Sequence, residues 1–86
     1  MMEYLLTFPN THQVMKAESL LNGKGIKTKP MPLPTALGAS CGITLRIDEQ
    51  KVTEGEKILA ENKVALSAIY QIHQEDGKKE YWPWKV

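Results

Sequence analysis

The stretch that decides the fold is Pro30-Met31-Pro32-Leu33-Pro34-Thr35-Ala36-Leu37-Gly38-Ala39-Ser40-Cys41-Gly42-Ile43-Thr44-Leu45-Arg46-Ile47. Three prolines at alternate positions hold its first part extended and remove amide donors. Its last part alternates: Ile43, Leu45 and Ile47 against Thr44, Arg46 and Asp48. That period of two is a strand with one buried and one polar face, as in an antiparallel sheet covered on one side. Between these parts lies the only cysteine, Cys41, followed directly by Gly42. A Cys-Gly step at the mouth of a strand gives the sulfur little steric cover, and glycine widens the backbone conformations open to the loop.

Upstream, residues 2–8 read as an aromatic and aliphatic strand stopped by Pro9, with Leu5 and Leu6 competing for the inward face. Asn10 and Thr11 are both able to cap a following helix. Val14, Ala17, Leu20 and Leu21 recur at helical spacing, and Asn22-Gly23 closes the helix, with glycine suited to the left-handed position after it. Ile26 to Lys29 is a short edge strand, consistent with its lysines and the prolines behind it.

Downstream, Asp48 or Thr53 caps a second helix, and Thr53 has Glu56 at capping-box spacing. Its inward stripe is Val52, Gly55, Ile58, Leu59 and Asn62, with Gly55 allowing close approach to the sheet at about 1 kcal/mol of helix propensity. Val64 to His73 is a fourth strand, with His73 solvent-facing. Residues 74–80 are a polar turn and Tyr81 to Val86 a tail holding both tryptophans.

The element order is βαββαβ. Right-handed crossovers then favour an α+β, ferredoxin-like sandwich of one four-stranded antiparallel sheet with two helices on one face. The domain spans residues 1–74, with 75–86 as turn and Trp-containing tail. In this topology the loop before the third strand shares a sheet edge with the start of the first helix. Cys41 is therefore expected near Asn10, Thr11 and His12. Helix N-terminal amides and their partial positive charge favour a thiolate over a thiol. His12 is a weaker candidate for proton exchange with the sulfur. Trp82 and Trp84 are expected to cover part of the open sheet face or an edge.

Composition sets further bounds. At 86 residues the chain is one small domain. Its formal charge of +1, with lysines scattered among glutamates, gives no electrostatic case for nucleic acid. No apolar run approaches a membrane span, and no signal peptide is recognised, so a cytoplasmic location is expected. One Cys cannot form an internal disulfide, and with two His it cannot close a zinc site within one chain. No Cys-x-x-Cys pair, phosphate-binding glycine loop or paired carboxylates are present, so no cofactor and no turnover enzyme is indicated.

Phe8-Pro9-Asn10-Thr11-His12 before Ala17-Glu18, then Pro32-Leu33-Pro34, then Ser40-Cys41-Gly42-Ile43-Thr44-Leu45-Arg46, resembles the small bacterial domain of unknown function 3343, a selenium/sulfur carrier protein-like family. The likeness runs from about Tyr4 to Tyr70 and leaves out the tail. It implies that Cys41 and Gly42, with Ser40 beside them, are the site. It implies a shuttle holding sulfur or selenium as a persulfide or selenosulfide between donor and acceptor proteins, such as a cysteine desulfurase-type donor. The competing expectation is a regulatory or interaction module, dimerising or sensing a small molecule through the open sheet face, with Cys41 incidental.

Overall fold

The computed structural model describes residues 3–33 and 42–85. Its elements are β1 (Glu3–Thr7), α1 (Thr11–Gly23), β2 (Thr28–Pro32), β3 (Ile43–Asp48), α2 (Glu49–Glu61), β4 (Ala68–Glu75) and β5 (Lys78–Lys85). One antiparallel sheet runs β2-β3-β1-β4-β5. β1 and β2 run the same way with β3 between them, the split arrangement that the crossover rule favours.

The sheet has five strands, not four. Residues expected as turn and tail include a complete strand, because Asp76 (φ 52°) and Gly77 (φ 78°) make a two-residue turn with both φ values positive. That is the type I′ hairpin, whose twist matches the flanking strands. Pairing from Glu75↔Lys78 to Tyr70↔Pro83 follows from it. A register shift between Ile69 and Tyr70 then sets Lys85 opposite Ile69 and leaves Trp84 as the extra residue of a bulge.

Directly opposed residues share a face. Leu6 lies between Leu45 and Ile69, and Tyr4 between Ile47 and Gln71. These apolar residues form the core with Val14, Ala17 and Leu21 of α1 and Val52 and Leu59 of α2. Leu5 points the other way yet is 2% exposed, because β1 is the central strand and its neighbours Arg46 and Tyr70 flank it. The competition between Leu5 and Leu6 thus ends with both buried. At Gly55, a Cβ would meet Ile47 Cδ1 at 2.9 Å and Leu21 Cδ2 at 3.6 Å, so α1, α2 and β3 converge on this glycine.

Both helices end in the same way. Ile26 N–H donates to Leu21 O (2.9 Å) and Gly25 N–H to Asn22 O (3.1 Å); Val64 N–H donates to Leu59 O (2.9 Å) and Lys63 N–H to Ala60 O (3.2 Å). These are Schellman motifs, each burying the apolar residue that follows. The left-handed position after α1 belongs to Gly25 (φ 78°) rather than Gly23, which stays helical; after α2 it belongs to Lys63 (φ 57°). Asp48, not Thr53, caps α2, accepting from Gln50 N–H at 3.1 Å. Asn62, expected in the inward stripe, is exposed, and its Nδ2 donates to Ile58 O at 2.8 Å.

The two sheet edges are closed by proline. Leu33 N–H donates to Gly42 O (2.9 Å), so alternate residues Met31 and Lys29 face β3 and Pro30 and Pro32 face outward. In the hairpin, Pro83 is likewise on the outward side, opposite Tyr70 in a pair that needs no donor. β2 therefore lacks outward donors at Pro30 and Pro32, and β5 at Pro83, where a further strand would seek them.

Candidate functional site

The end of β1 fixes the geometry. Thr7 is opposite both Thr44 and Ala68, and its carbonyl accepts from Ser67 N–H at 2.8 Å. Three residues later Asn10 caps α1, its side chain accepting from Gln13 N–H at 3.0 Å. Gly42 immediately precedes β3 at this same end of the sheet. The start of α1 and the residue adjoining Cys41 are thus brought to one edge. Cys41 and Ser40 themselves lie outside the described residues, so their distances to Asn10, Thr11 and His12 are not part of the geometry. Gly42 and Ile43 are exposed, as are Asn10, Thr11 and His12.

The helix start is braced from a direction the sequence did not reveal. Gln13 Oε1 accepts from Ala65 N–H at 3.0 Å, tying the first turn of α1 to the segment before β4. A glutamine one turn into a helix carries no sequence signal for this; only the fold brings residues 52 apart together. With Gln13 N–H held by the cap and Val14 N–H by Asn10 O (3.3 Å), the amides of Thr11 and His12 are the ones helix geometry leaves pointing off the end.

Arg46 sits on the face away from the helices, as its alternation demands. Its Nε lies 3.0 Å from Glu3 Oε1, but the N–H is not aimed at that oxygen, so this is an ion contact without a hydrogen bond. His73 is not simply solvent-facing. It is half-buried, stacked on Trp82 (centroids 4.0 Å, 27°) and within 3.2 Å of Gln71 Oε1, while Gln71 Nε2 donates to Tyr4 Oη at 2.8 Å. The tryptophans divide their roles. Trp84 packs edge-on against Tyr4 (4.8 Å, 61°) beside the core on the helix side; Trp82 is 51% exposed and donates to Glu80 at 2.9 Å. No cluster of three metal-binding side chains exists among the described residues, and no helix among them is long and apolar enough to cross a membrane.

The model of the family described as "Putative Se/S carrier protein-like" matches residues 3–71. The chain belongs to that family. The match takes in every element from β1 through the first half of β4, and it stops short of the hairpin turn and β5. Within this Se/S carrier-like protein the matched region contains the chain's single cysteine. No curated protein and no solved structure matches the chain.

Proposed function

We propose that this Se/S carrier-like protein holds one sulfur or selenium atom on Cys41 and passes it between a donor and an acceptor protein. The observation that carries the reading is the family match over residues 3–71 in a chain with one cysteine. The chemistry is a transfer without net oxidation. The Cys41 thiolate attacks the outer sulfur of a donor persulfide. The bond from that sulfur to the donor's cysteine breaks, and the donor leaves as a thiolate with the electron pair. Cys41 then bears an S–S linkage, or S–Se for selenium, whose outer atom an acceptor thiolate removes in the same manner. No second thiol in the chain competes to resolve it as a disulfide.

The supporting geometry is the shared edge. That edge brings together Gly42 and the α1 start, so on this reading a thiolate on the residue before Gly42 would draw on Asn10, Thr11 and His12 for the cap, two amides and an imidazole. The helix end favours the anion, and His12 serves as a secondary proton partner. Ser40 and Gly42 set the backbone on either side of the sulfur.

Intact-mass analysis after incubation with a persulfide-loaded cysteine desulfurase tests this. A gain of one sulfur that is lost on reduction, and that is absent in Cys41→Ser, is the expected result. No gain on a Cys41 that still alkylates in the folded protein overturns the carrier reading in favour of an interaction module.

A further inference from the structure

Over the whole chain, lysines and acids interleave, but one stretch departs from that pattern. Residues 19–47 contain Lys24, Lys27, Lys29 and Arg46 and no Asp or Glu; the remaining seven lysines stand against all ten acids. This stretch is the end of α1, all of β2, the segment bearing Cys41 and most of β3. Its described parts lie on one side of the molecule, since β2 is the outer strand and β3 its partner among the described residues.

Three features make this side more than a statistical excess. Lys24, Lys27 and Lys29 are exposed, and none has an ion-pair partner among the described residues. Lys29 is directly opposite Arg46, a like-charge cross-strand pair that costs stability. Two acids border it at one end: Glu3 of β1, which contacts Arg46, and Asp48, opposite Glu3 and two residues beyond Arg46, whose side chain is engaged in capping α2. Finally, Pro30 and Pro32 deny this edge the outward amides that would recruit a further strand. A partner meeting β2 is therefore recognised by side-chain charge rather than by main-chain pairing.

We infer that the β2 side, through Lys24, Lys27, Lys29 and Arg46, is the docking surface for the acidic face of a partner protein that exchanges with Cys41. This rests on the carrier reading for the identity of what is exchanged, but not for the surface. Lys29 precedes Leu33 by four residues, about 13 Å of strand at roughly 3.3 Å per residue, and Leu33 is bonded to Gly42 beside Cys41. Lys29 and its opposite Arg46 thus stand about 13 Å from the Leu33–Gly42 pair, well inside the roughly 30 Å Debye length of 0.01 M salt and outside the roughly 10 Å of 0.1 M, with Lys27 and Lys24 further along the same side. A protein face is favoured over nucleic acid because β2 and β3 carry no aromatic side chain on which bases stack, and because the whole chain is only +1.

The test uses thiol exchange rather than sulfur loading, which separates the two readings. Two pentapeptides, Glu-Glu-Cys-Glu-Glu and Lys-Lys-Cys-Lys-Lys, are each presented as the mixed disulfide with thionitrobenzoate. The Cys41 thiolate forms a disulfide to the peptide sulfur, and thionitrobenzoate leaves with the electron pair and is read by its colour. The acidic peptide is expected to react about tenfold faster than the basic one at low ionic strength, within the range of electrostatic steering. The ratio should fall towards one in Lys27→Gln/Lys29→Gln and in high salt. It should persist in Lys57→Gln/Lys78→Gln, which removes the same charge from α2 and the hairpin. An equal fall in both double variants, an unchanged ratio in the first, or no reaction with either peptide overturns the inference. So does tight, Lys27- and Lys29-dependent binding of oligouridylate with no preference between the peptides. Preserved steering with no sulfur gain would remove the carrier reading and leave the surface standing.

Discussion

Gly55→Ala sets two effects of known size against each other at one atom. Replacing a mid-helix glycine by alanine favours α2 by about 1 kcal/mol. The new Cβ would lie 2.9 Å from Ile47 Cδ1, well inside the 3.5–4.0 Å of a relaxed carbon contact. Ile47 is 1% exposed, so its terminal methyl has no solvent to move into. Overpacking of this kind costs about 1–3 kcal/mol. The expected result is a net loss of about 1 kcal/mol, read by urea denaturation, or a fall in Tm of roughly 4–8 °C for a domain of this size. Ile47→Val removes Cδ1 at a cost of about 1 kcal/mol. In that background the nearest remaining atom is Leu21 Cδ2 at 3.6 Å, an ordinary contact, so Gly55→Ala should become stabilising by about 1 kcal/mol. The cycle therefore carries a coupling of about 2 kcal/mol, within the range for residues in contact. The same sign for Gly55→Ala in both backgrounds would refute close approach as the reason for glycine there.

Other substitutions read the remaining parts of the structure. Lys63→Gly should stabilise by about 0.5 kcal/mol in the same denaturation assay: relief of a left-handed non-glycine residue, about 1–2 kcal/mol, exceeds the added entropy of the unfolded chain. Trp84→Ala should cost about 2 kcal/mol by loss of its packing on Tyr4, while Trp82→Ala costs well under 1, and near-ultraviolet circular dichroism should report the two sites separately. Asn10→Ala should cost about 1 kcal/mol by removing the bond to Gln13 N–H, and slow alkylation of Cys41 at pH 7 if the ordered start of α1 favours its thiolate.

β3 and the two helices were legible because their periods are clear, whereas β2, weakly patterned and expected over Ile26 to Lys29, lies at Thr28–Pro32, with Pro30 and Pro32 inside the strand at outward positions that need no donor. Ile43, Leu45 and Ile47 alternate, Leu45 and Ile47 falling on the core side and Ile43 half out at the strand's end. Val14, Ala17 and Leu21 recur at three and four, and all are buried. β5 was missed for a definable reason. Lys78 to Lys85 opens with three charged residues and continues with aromatics around a proline, with no period of two, which weakens a strand reading. The available signal was Asp76-Gly77, the turn dipeptide whose two positive φ values join strands two residues apart. Lys63 was illegible in another way. Nothing in a lysine marks a left-handed position; the buried Val64 beyond it and the two closing hydrogen bonds impose it. For the candidate site, topology supplied the shared edge of Gly42 and Asn10, whereas the Gln13–Ala65 brace and the His73–Trp82 stack depend on contacts across distant chain segments.

The hairpin and the β2 side suggest a division of labour across the sheet. The family match ends at residue 71, within β4 and before β5 begins. What this chain adds beyond it is one more strand, whose Trp84 covers Tyr4 and whose Pro83 closes the new edge. β4 thereby becomes an interior strand, paired to β1 on one side and β5 on the other. That far side is fixed by the ladder from Glu75↔Lys78 to Tyr70↔Pro83 and by the Tyr4, Gln71 and His73 contacts. The opposite side keeps its outer strand short, proline-blocked and lysine-bearing, with the Cys41 segment attached to it. Aromatic packing is thus concentrated on the β5 side, and lysines without an ion-pair partner among the described residues on the β2 side. On the proposed carrier reading, successive partners would meet the same cationic side while the far sheet stays intact. Truncation after Gly77 should accordingly lower stability through Trp84 while leaving the acidic-to-basic peptide ratio unchanged at a temperature where the shortened chain is folded; a lost preference in a folded truncation would show that the two sides are not independent.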